Sequence, residues 1–255
     1  MKVYSAEYAK GTVVIVHGAF EHSGRYDAVA KRFTQEGYHV VTGDLPGQGK
    51  TDGKRGHIDS FTQYLDTIEK WVHKAEEFKL PIYALGHSMG GLAVSRTLQE
   101  KSLPITAVIL SSPCIGIVDE PSKGVQAFSK ICNVIAPTLL VSGNLNPLHV
   151  TRNEEVRERD LNDSLIVQKI SVRWFSELQN AMLQVQEKVQ QYPNIPTLVM
   201  QAGDDKLVRK EVVHQWYKQL PVTNKKYKEW EGLYHEILFE PEGEEVFQMA
   251  LSFIK

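Results

Sequence analysis

The stretch Leu85-Gly86-His87-Ser88-Met89-Gly90-Gly91 constrains this chain more than any other. It reads Gly-x-Ser-x-Gly, with a further glycine directly after. Pro81 to Gly86, before the serine, are mostly apolar and strand-like, and Leu92 to Glu100, after it, carry a helical pattern. A strand that turns at once into a helix must hold Ser88 at a strained backbone angle, with Oγ projecting from the sheet edge. Strand and helix then pass so closely that only small residues fit at Gly86, Gly90 and Gly91. A serine hydroxyl is a weak nucleophile at neutral pH, so this placement calls for a base and an acid elsewhere in the chain.

The rest of the pattern supplies a sheet to carry that turn. Thr12–Val16, Tyr38–Thr42 and Thr106–Leu110 are apolar or β-branched runs, as expected of strands buried on both faces. Between them the spacing predicts helices from Arg25 to Glu36, stopped by Gly37, and from Ser60 to Phe78, with Ser60 as N-cap. The rhythm breaks from Cys114 to Asn194. There the sequence shows only helical patterns, over Lys123–Ile135, Arg152–Asp160 and Ile166–Gln191. It resumes with a strand at Thr197–Gln201, a helix at Arg209–Gln219, a strand at Lys225–Trp230 and a helix at Gly243–Phe253. Strands alternating with helices imply an α/β protein with a mainly parallel, doubly wound sheet. An insertion of about 80 helical residues reads as a cap over the sheet edge. Ligands of such sheets bind at the carboxyl ends of strands. His17-Gly18-Ala19, Asp44, Ser88, Asp205 and His235 all fall at such ends.

For a serine on such an elbow the partners follow in the order nucleophile, acid, histidine. His149, His214 and His235 lie downstream. His149 falls in the insertion and His214 within a helix, whereas His235 sits in a loop after the last strand. Asp204 and Asp205 both end the preceding strand, and either could orient the histidine and stabilise its imidazolium. Acyl transfer also needs two N–H donors for an oxyanion. One is Met89, directly after the serine; the other falls in the loop His17-Gly18-Ala19-Phe20, at Ala19 with Phe20 as the alternative.

With these residues in view, the chain resembles monoacylglycerol lipases and lysophospholipases of the α/β-hydrolase superfamily, above all small bacterial, Bacillus-type phospholipase-like members. The segments that carry the resemblance are His17–Tyr26, Asp44–Gly49, Gly86–Gly91, Gly203–Val208 and Tyr234–Glu236, with Thr151–Glu154 and Asn162–Leu165 in the insertion. The resemblance implies an α/β-hydrolase fold with core residues 1–113 and 195–255 and a helical cap, 114–194, inserted after the sixth strand. It selects Asp205 over Asp204, which makes the triad Ser88, Asp205 and His235. It also implies a single-chain lipid ester as substrate and no cofactor or metal. Where the family often has glycine, this chain has Phe20, which is expected to narrow the acyl pocket. Phe20, His22, Ile117 and Ile135 are the expected pocket residues. A general carboxylesterase or another triad hydrolase is the alternative within the fold, and a ligand-binding protein is the alternative outside enzymes.

Composition bounds the partners. At 255 residues, 42% apolar and 24% charged, the chain suits one large domain or a domain with an insertion. A net charge of −2 gives no reason to expect nucleic acid. The N-terminus lacks an export signal and no stretch is long enough to span a membrane, so a cytoplasmic chain is expected, with Cys114 and Cys132 as free thiols. The cap residues Ile115, Ile117, Val118, Val125, Phe128, Ile131 and Ile135 suit internal packing, an acyl tunnel or a transient membrane-surface contact. Arg152, Arg157, Arg159, Lys169 and Arg173 alternate with acids and read as a solvated face, with a phosphate headgroup as the functional alternative. His22 and His57 read as polar loop residues. No His-Glu-x-x-His or other metal-ligand cluster occurs, and nothing in the sequence sets the oligomeric state.

Overall fold

The computed structural model describes residues 1–119, 124, 131–143 and 146–255. Its centre is a seven-stranded sheet in the order β1-β3-β2-β4-β5-β8-β9. The strands are β1 (Lys2–Tyr4), β2 (Gly11–Val16), β3 (Tyr38–Thr42), β4 (Ile82–His87), β5 (Ile105–Ser111), β8 (Thr197–Ala202) and β9 (Lys225–Trp230). All neighbours are parallel except β1, which pairs antiparallel with β3.

Alternate residues of each central strand feed two separate cores, which is why these strands read as unbroken apolar runs. Val14 and Val16 of β2 face the helices α2 (Thr62–Glu76), α3 (Met89–Glu100), α6 (Val172–Glu187) and α7 (Lys210–Gln219). Val13 and Ile15 face α1 (Asp27–Gln35) and α8 (Gly243–Ile254). Helix α3 is buried from Met89 to Gln99, including Arg96, whose guanidinium is held by Gln99, Glu100 and Gln184. It runs between α2 and α6, so the helix behind Ser88 is fixed on both flanks.

Most elements lie where the pattern puts them, and the differences have local causes. Strand β1 was not expected; it is a three-residue edge without an apolar run. Only five strands precede the insertion, so the cap leaves the sheet after the fifth strand, not the sixth: β1 alone precedes the first buried strand. Ser60 lies two residues before the start of α2, yet its Oγ accepts from Thr62 N (3.2 Å) while Gln63 Oε1 accepts from Ser60 N (3.4 Å), a reciprocal capping arrangement.

The long helix expected over Ile166–Gln191 is shorter. Lys169–Ser171 form strand β7, antiparallel to β6 (Leu140–Ser142), and α6 starts only at Val172. Ser171 is extended and its Oγ accepts from Trp174 N at 3.0 Å, so the helix is capped there. The other cap helices are α4 (Pro147–Val150) and α5 (Glu154–Leu161), the latter capped by Asn153. Of the helix expected over Lys123–Ile135, residues 131–135 are helical; Lys123, Val125 and Phe128 lie outside the described residues. Cys114 and Cys132 are both free and buried.

The elbow packs backbone on backbone. A Cβ on Gly90 would lie 2.2 Å from Val16 O, and one on Gly86 would lie 2.7 Å from Gly90 O. Because no flexible side chain can yield at these contacts, Gly90→Ala is expected to cost about 3 kcal/mol or more of unfolding free energy in urea titration. A wild-type midpoint for the variant would mean that β2 and α3 are not in contact.

Candidate active site

Ser88 ends β4 and starts α3 with φ +51 and ψ −120, a conformation unfavourable for any residue with a Cβ. It is held from both sides: Ser88 N donates to Ser111 O (2.9 Å), and Ser88 O accepts from Cys114 N (3.0 Å). Its side chain is half-buried, with Oγ 2.8 Å from His235 Nε2. His235 Nδ1 lies 2.9 Å from Asp205 Oδ2. Asp205 is thus the aspartate that reaches the ring, while Asp204 is exposed and its N–H bonds Leu233 O. His149 and His214 lie in α4 and α7, and His214 stacks on Tyr217 and lies tilted against Tyr227 instead.

The Asp205 side chain is fully buried. Burial alone would raise its pKa, but the His235 ring and the N–H groups of Val208 and Leu207 (2.9 and 3.0 Å) outweigh it and hold the carboxyl below its usual range. For His235, burial works downward, and Asp205, with help from Glu236 and Glu21, raises the pKa above the ordinary 6.5. The neighbouring His87 goes the other way. Burial and the nearby His235 push it down to about 3, its ring 4.9 Å from that of His235. It therefore stays neutral and adds no second charge beside the histidine.

The loop after β2 lies against the serine: a Cβ on Gly18 would be 3.2 Å from Ser88 Cβ. His17 is fully buried and neutral, Nδ1–H donating to Gly18 O (2.8 Å) and Nε2 accepting from Leu45 N (2.9 Å). Gly18 N donates to Glu21 Oε1. Met89 N is the first amide of α3, and helix geometry leaves such an amide without an intrahelical acceptor. Phe20, where glycine was expected from the resemblance, has φ +68, the left-handed conformation that glycine adopts freely.

Arg25 sits beneath this loop, its side chain only 2% exposed. All five of its donors are used. Nη1 donates to Glu21 Oε2 and Glu236 Oε1, Nη2 to Glu236 Oε2 and Asp160 Oδ2, and Nε to Asp160 Oδ1. It therefore joins the loop after β2, the residue next to His235, and α5 of the cap. Glu21, Arg25, Glu236 and His87 lie inside the sequence segments read as motifs, but no role was expected for them.

A cavity of about 430 Å³ opens beside the loop, lined by Ala19, Phe20, Thr151, Arg157, Val167, Gln168 and others, but not by Ser88, Met89 or His235. Among the expected pocket residues, Phe20 lines it. His22 is instead bonded to Asp163 of the cap at 2.8 Å. Ile117 pairs with Val208 and packs on the core, and Ile135 is 75% exposed, so neither faces the cavity. Of the cap cations, Arg152 is held by Glu240 and Glu242, and Arg159 by Asp160. Arg173 donates to Asn133 O, and Lys169 is exposed on β7. His57 bonds Ser171 Oγ. Among the described residues no group of three or more His, Cys, Asp or Glu is placed to hold a metal, and no helix is long and apolar enough to cross a membrane.

Residues 7–242 match the family described as serine aminopeptidase S33. The chain belongs to this family. As an S33 member it is an α/β-hydrolase, and its relatives agree. It is 48% identical over 254 residues to phospholipase YtpA of Bacillus subtilis, covering 99% of this chain and 98% of that one. It is 29% identical to a monoacylglycerol lipase of Mycolicibacterium smegmatis, over 96% of this chain and 88% of the other. The crystal structure of the Paleococcus ferrophilus monoacylglycerol lipase superposes with a TM-score of 0.87 at 30% identity, covering 99% and 98% of the two chains.

To accept a proton from Ser88, His235 must be neutral. Its raised pKa therefore predicts that kcat/KM on an ester falls toward acid through a pKa above 6.5. Asp205→Asn removes the carboxylate that raises it, so the acid limb should move to lower pH and the rate should drop by about 10⁴. An acid limb unmoved in that variant would show that Asp205 does not set the state of the ring.

Proposed function

We propose that this chain hydrolyses carboxylic esters of single-chain lipids, monoacylglycerols or lysophospholipids, through a Ser88 acyl-enzyme. The observation that carries this reading is the continuous line from Ser88 Oγ to His235 Nε2 (2.8 Å) and from His235 Nδ1 to Asp205 Oδ2 (2.9 Å). The names of the relatives supply the substrate class.

In this reading His235 Nε2 takes the hydroxyl proton as Ser88 Oγ attacks the ester carbon. The N–H groups of Met89 and Ala19 receive the oxyanion; losing one such donor costs roughly 100- to 1000-fold in rate. Asp205 stabilises the imidazolium without taking its proton. The bond to the alcohol breaks as His235 protonates the leaving oxygen. Water then attacks the acyl-enzyme, passing a proton to His235, which returns it to Ser88 as the fatty acid leaves. Residues 114–194 act as a cap on the core, 1–113 and 195–255. The exposed Ile131, Val134, Ile135 and Leu139 support a transient contact of that cap with a lipid surface.

The test is steady-state fatty-acid release from a monoacylglycerol and a lysophospholipid of equal chain length, with a short ester alongside. Ser88→Ala and His235→Ala are each expected to lower kcat by about 10⁴ to 10⁶. Full activity in Ser88→Ala would overturn the mechanism. Turnover of the short ester alone would remove the lipid assignment and leave the triad. Binding without repeated turnover by wild type would make the chain a binding protein.

A further inference from the structure

Space beside the serine requires a glycine at position 18. A Cβ there would lie 2.8 Å from Glu21 Oε1 and 3.2 Å from both Ser88 Cβ and His87 Cδ2. Glycine is also the residue whose two flanking peptide planes turn most freely. The plane that follows Gly18 carries Ala19 N–H, which has no hydrogen-bond partner among the described residues. A donor on so free a hinge stabilises an oxyanion only if the hinge is held from outside. Each plane is held by one side chain. Gly18 N, on the plane before, donates to Glu21 Oε1. Gly18 O, on the plane after, accepts from His17 Nδ1 at 2.8 Å. In a trans peptide C=O and N–H point opposite ways, so that second bond also sets the direction of Ala19 N–H.

Glu21 is itself fixed at both oxygens. Oε1 also accepts from Tyr26 Oη at 2.9 Å, and Oε2 accepts from Arg25 Nη1. The side chain is buried, which alone would raise its pKa, but Arg25 above all holds the carboxyl below its usual range. An ionised carboxylate is an acceptor at both ends, as these donors require. Building on the reading of Ser88 as an ester hydrolase, we propose that Glu21 is a positioning residue that spans from Arg25 to Gly18 N and so aims Ala19 N–H at the oxyanion. The span is the property that matters. Aspartate, one methylene shorter, keeps the charge beside Arg25 but cannot reach Gly18 N as well. Glutamine keeps the length, and with it an acceptor for Gly18 N, and loses the charge.

The experiment measures inhibition constants, which a smaller folded fraction does not change, for two inhibitors of ester turnover. One is a long-chain alkyl trifluoromethyl ketone, whose carbonyl carbon takes the Ser88 oxygen as the proton passes to His235, leaving a negatively charged oxygen. The other is the matched alkyl glyceryl ether, which has no carbonyl. Glu21→Asp is expected to weaken the ketone by up to about 100-fold, since losing one donor outright costs roughly 100- to 1000-fold. It should leave the ether in place, and on substrate it should lower kcat with little change in KM. Glu21→Gln should weaken the ketone less than Glu21→Asp does. An unchanged ratio of ketone to ether in Glu21→Asp, or a loss in Glu21→Gln as large or larger, overturns the role of Glu21 while wild-type turnover leaves the triad standing. No ester turnover by wild type overturns both.

Discussion

Arg25 is the interaction on which the site depends. A guanidinium removed from water carries a penalty of several kcal/mol, repaid only when every donor is matched with good geometry. Here the matching carboxylates come from three distant parts of the chain: Glu21 on the loop after β2, Glu236 beside His235, and Asp160 on the cap. None of the three segments can drift without stranding a buried charge. Removing one partner of such a cluster typically costs about 3–5 kcal/mol. The same carboxylates reach into the chemistry. Glu21 also accepts from Gly18 N, and Glu236 and Glu21 help Asp205 raise the pKa of His235. One charge thus anchors the loop and holds in place two of the carboxylates that help Asp205 raise the base.

The elbow solves a different problem with no charge at all. Ser88 keeps its strained backbone because Gly86, Gly90 and Gly91 let β4, α3 and β2 meet without side chains between them. Two backbone hydrogen bonds, to Ser111 O and from Cys114 N, fix it in the plane of the sheet. Strain of this kind costs of order 1–3 kcal/mol, and the buried helix behind it offsets that cost. His17 and His87, both held neutral by burial, complete the setting: they position backbone and ring without competing with His235 for a proton.

Much of this was legible in the sequence because it rests on period and punctuation. Buried strands such as Thr12–Val16 announce themselves by unbroken apolar runs, and the turn at Ser88 by its glycines. Strand β1 and strand β7 were not legible, since a three-residue strand has no period to read; Ile170 fits a helical spacing as well as it fits β7. The histidine and the serine follow from chain order, whereas the choice of Asp205 over Asp204 depended on resemblance until the ring geometry separated them. Arg25 and its carboxylates went unassigned because their meaning is tertiary: Asp160 is 135 residues from Arg25 and Glu236 is 211. Ile117 and Ile135 lie away from the cavity for the converse reason, as apolarity alone does not say which way such a residue faces.

The far edge of the sheet carries a consequence for association. Strand β9 reads Lys-Lys-Tyr-Lys-Glu-Trp and is half-exposed. Lys225 turns back, its Nζ donating to Tyr217, Lys218 and Leu220 O, the last carbonyls around α7. Lys226 and Lys228 remain along the open ladder. A second chain adding a strand there would have to desolvate ammonium groups and align them with its own, so sheet-to-sheet growth at this edge is blocked. At the opposite end β1 offers only three residues to pair with. The molecule can therefore crowd at high concentration without its sheets fusing into a continuous ribbon.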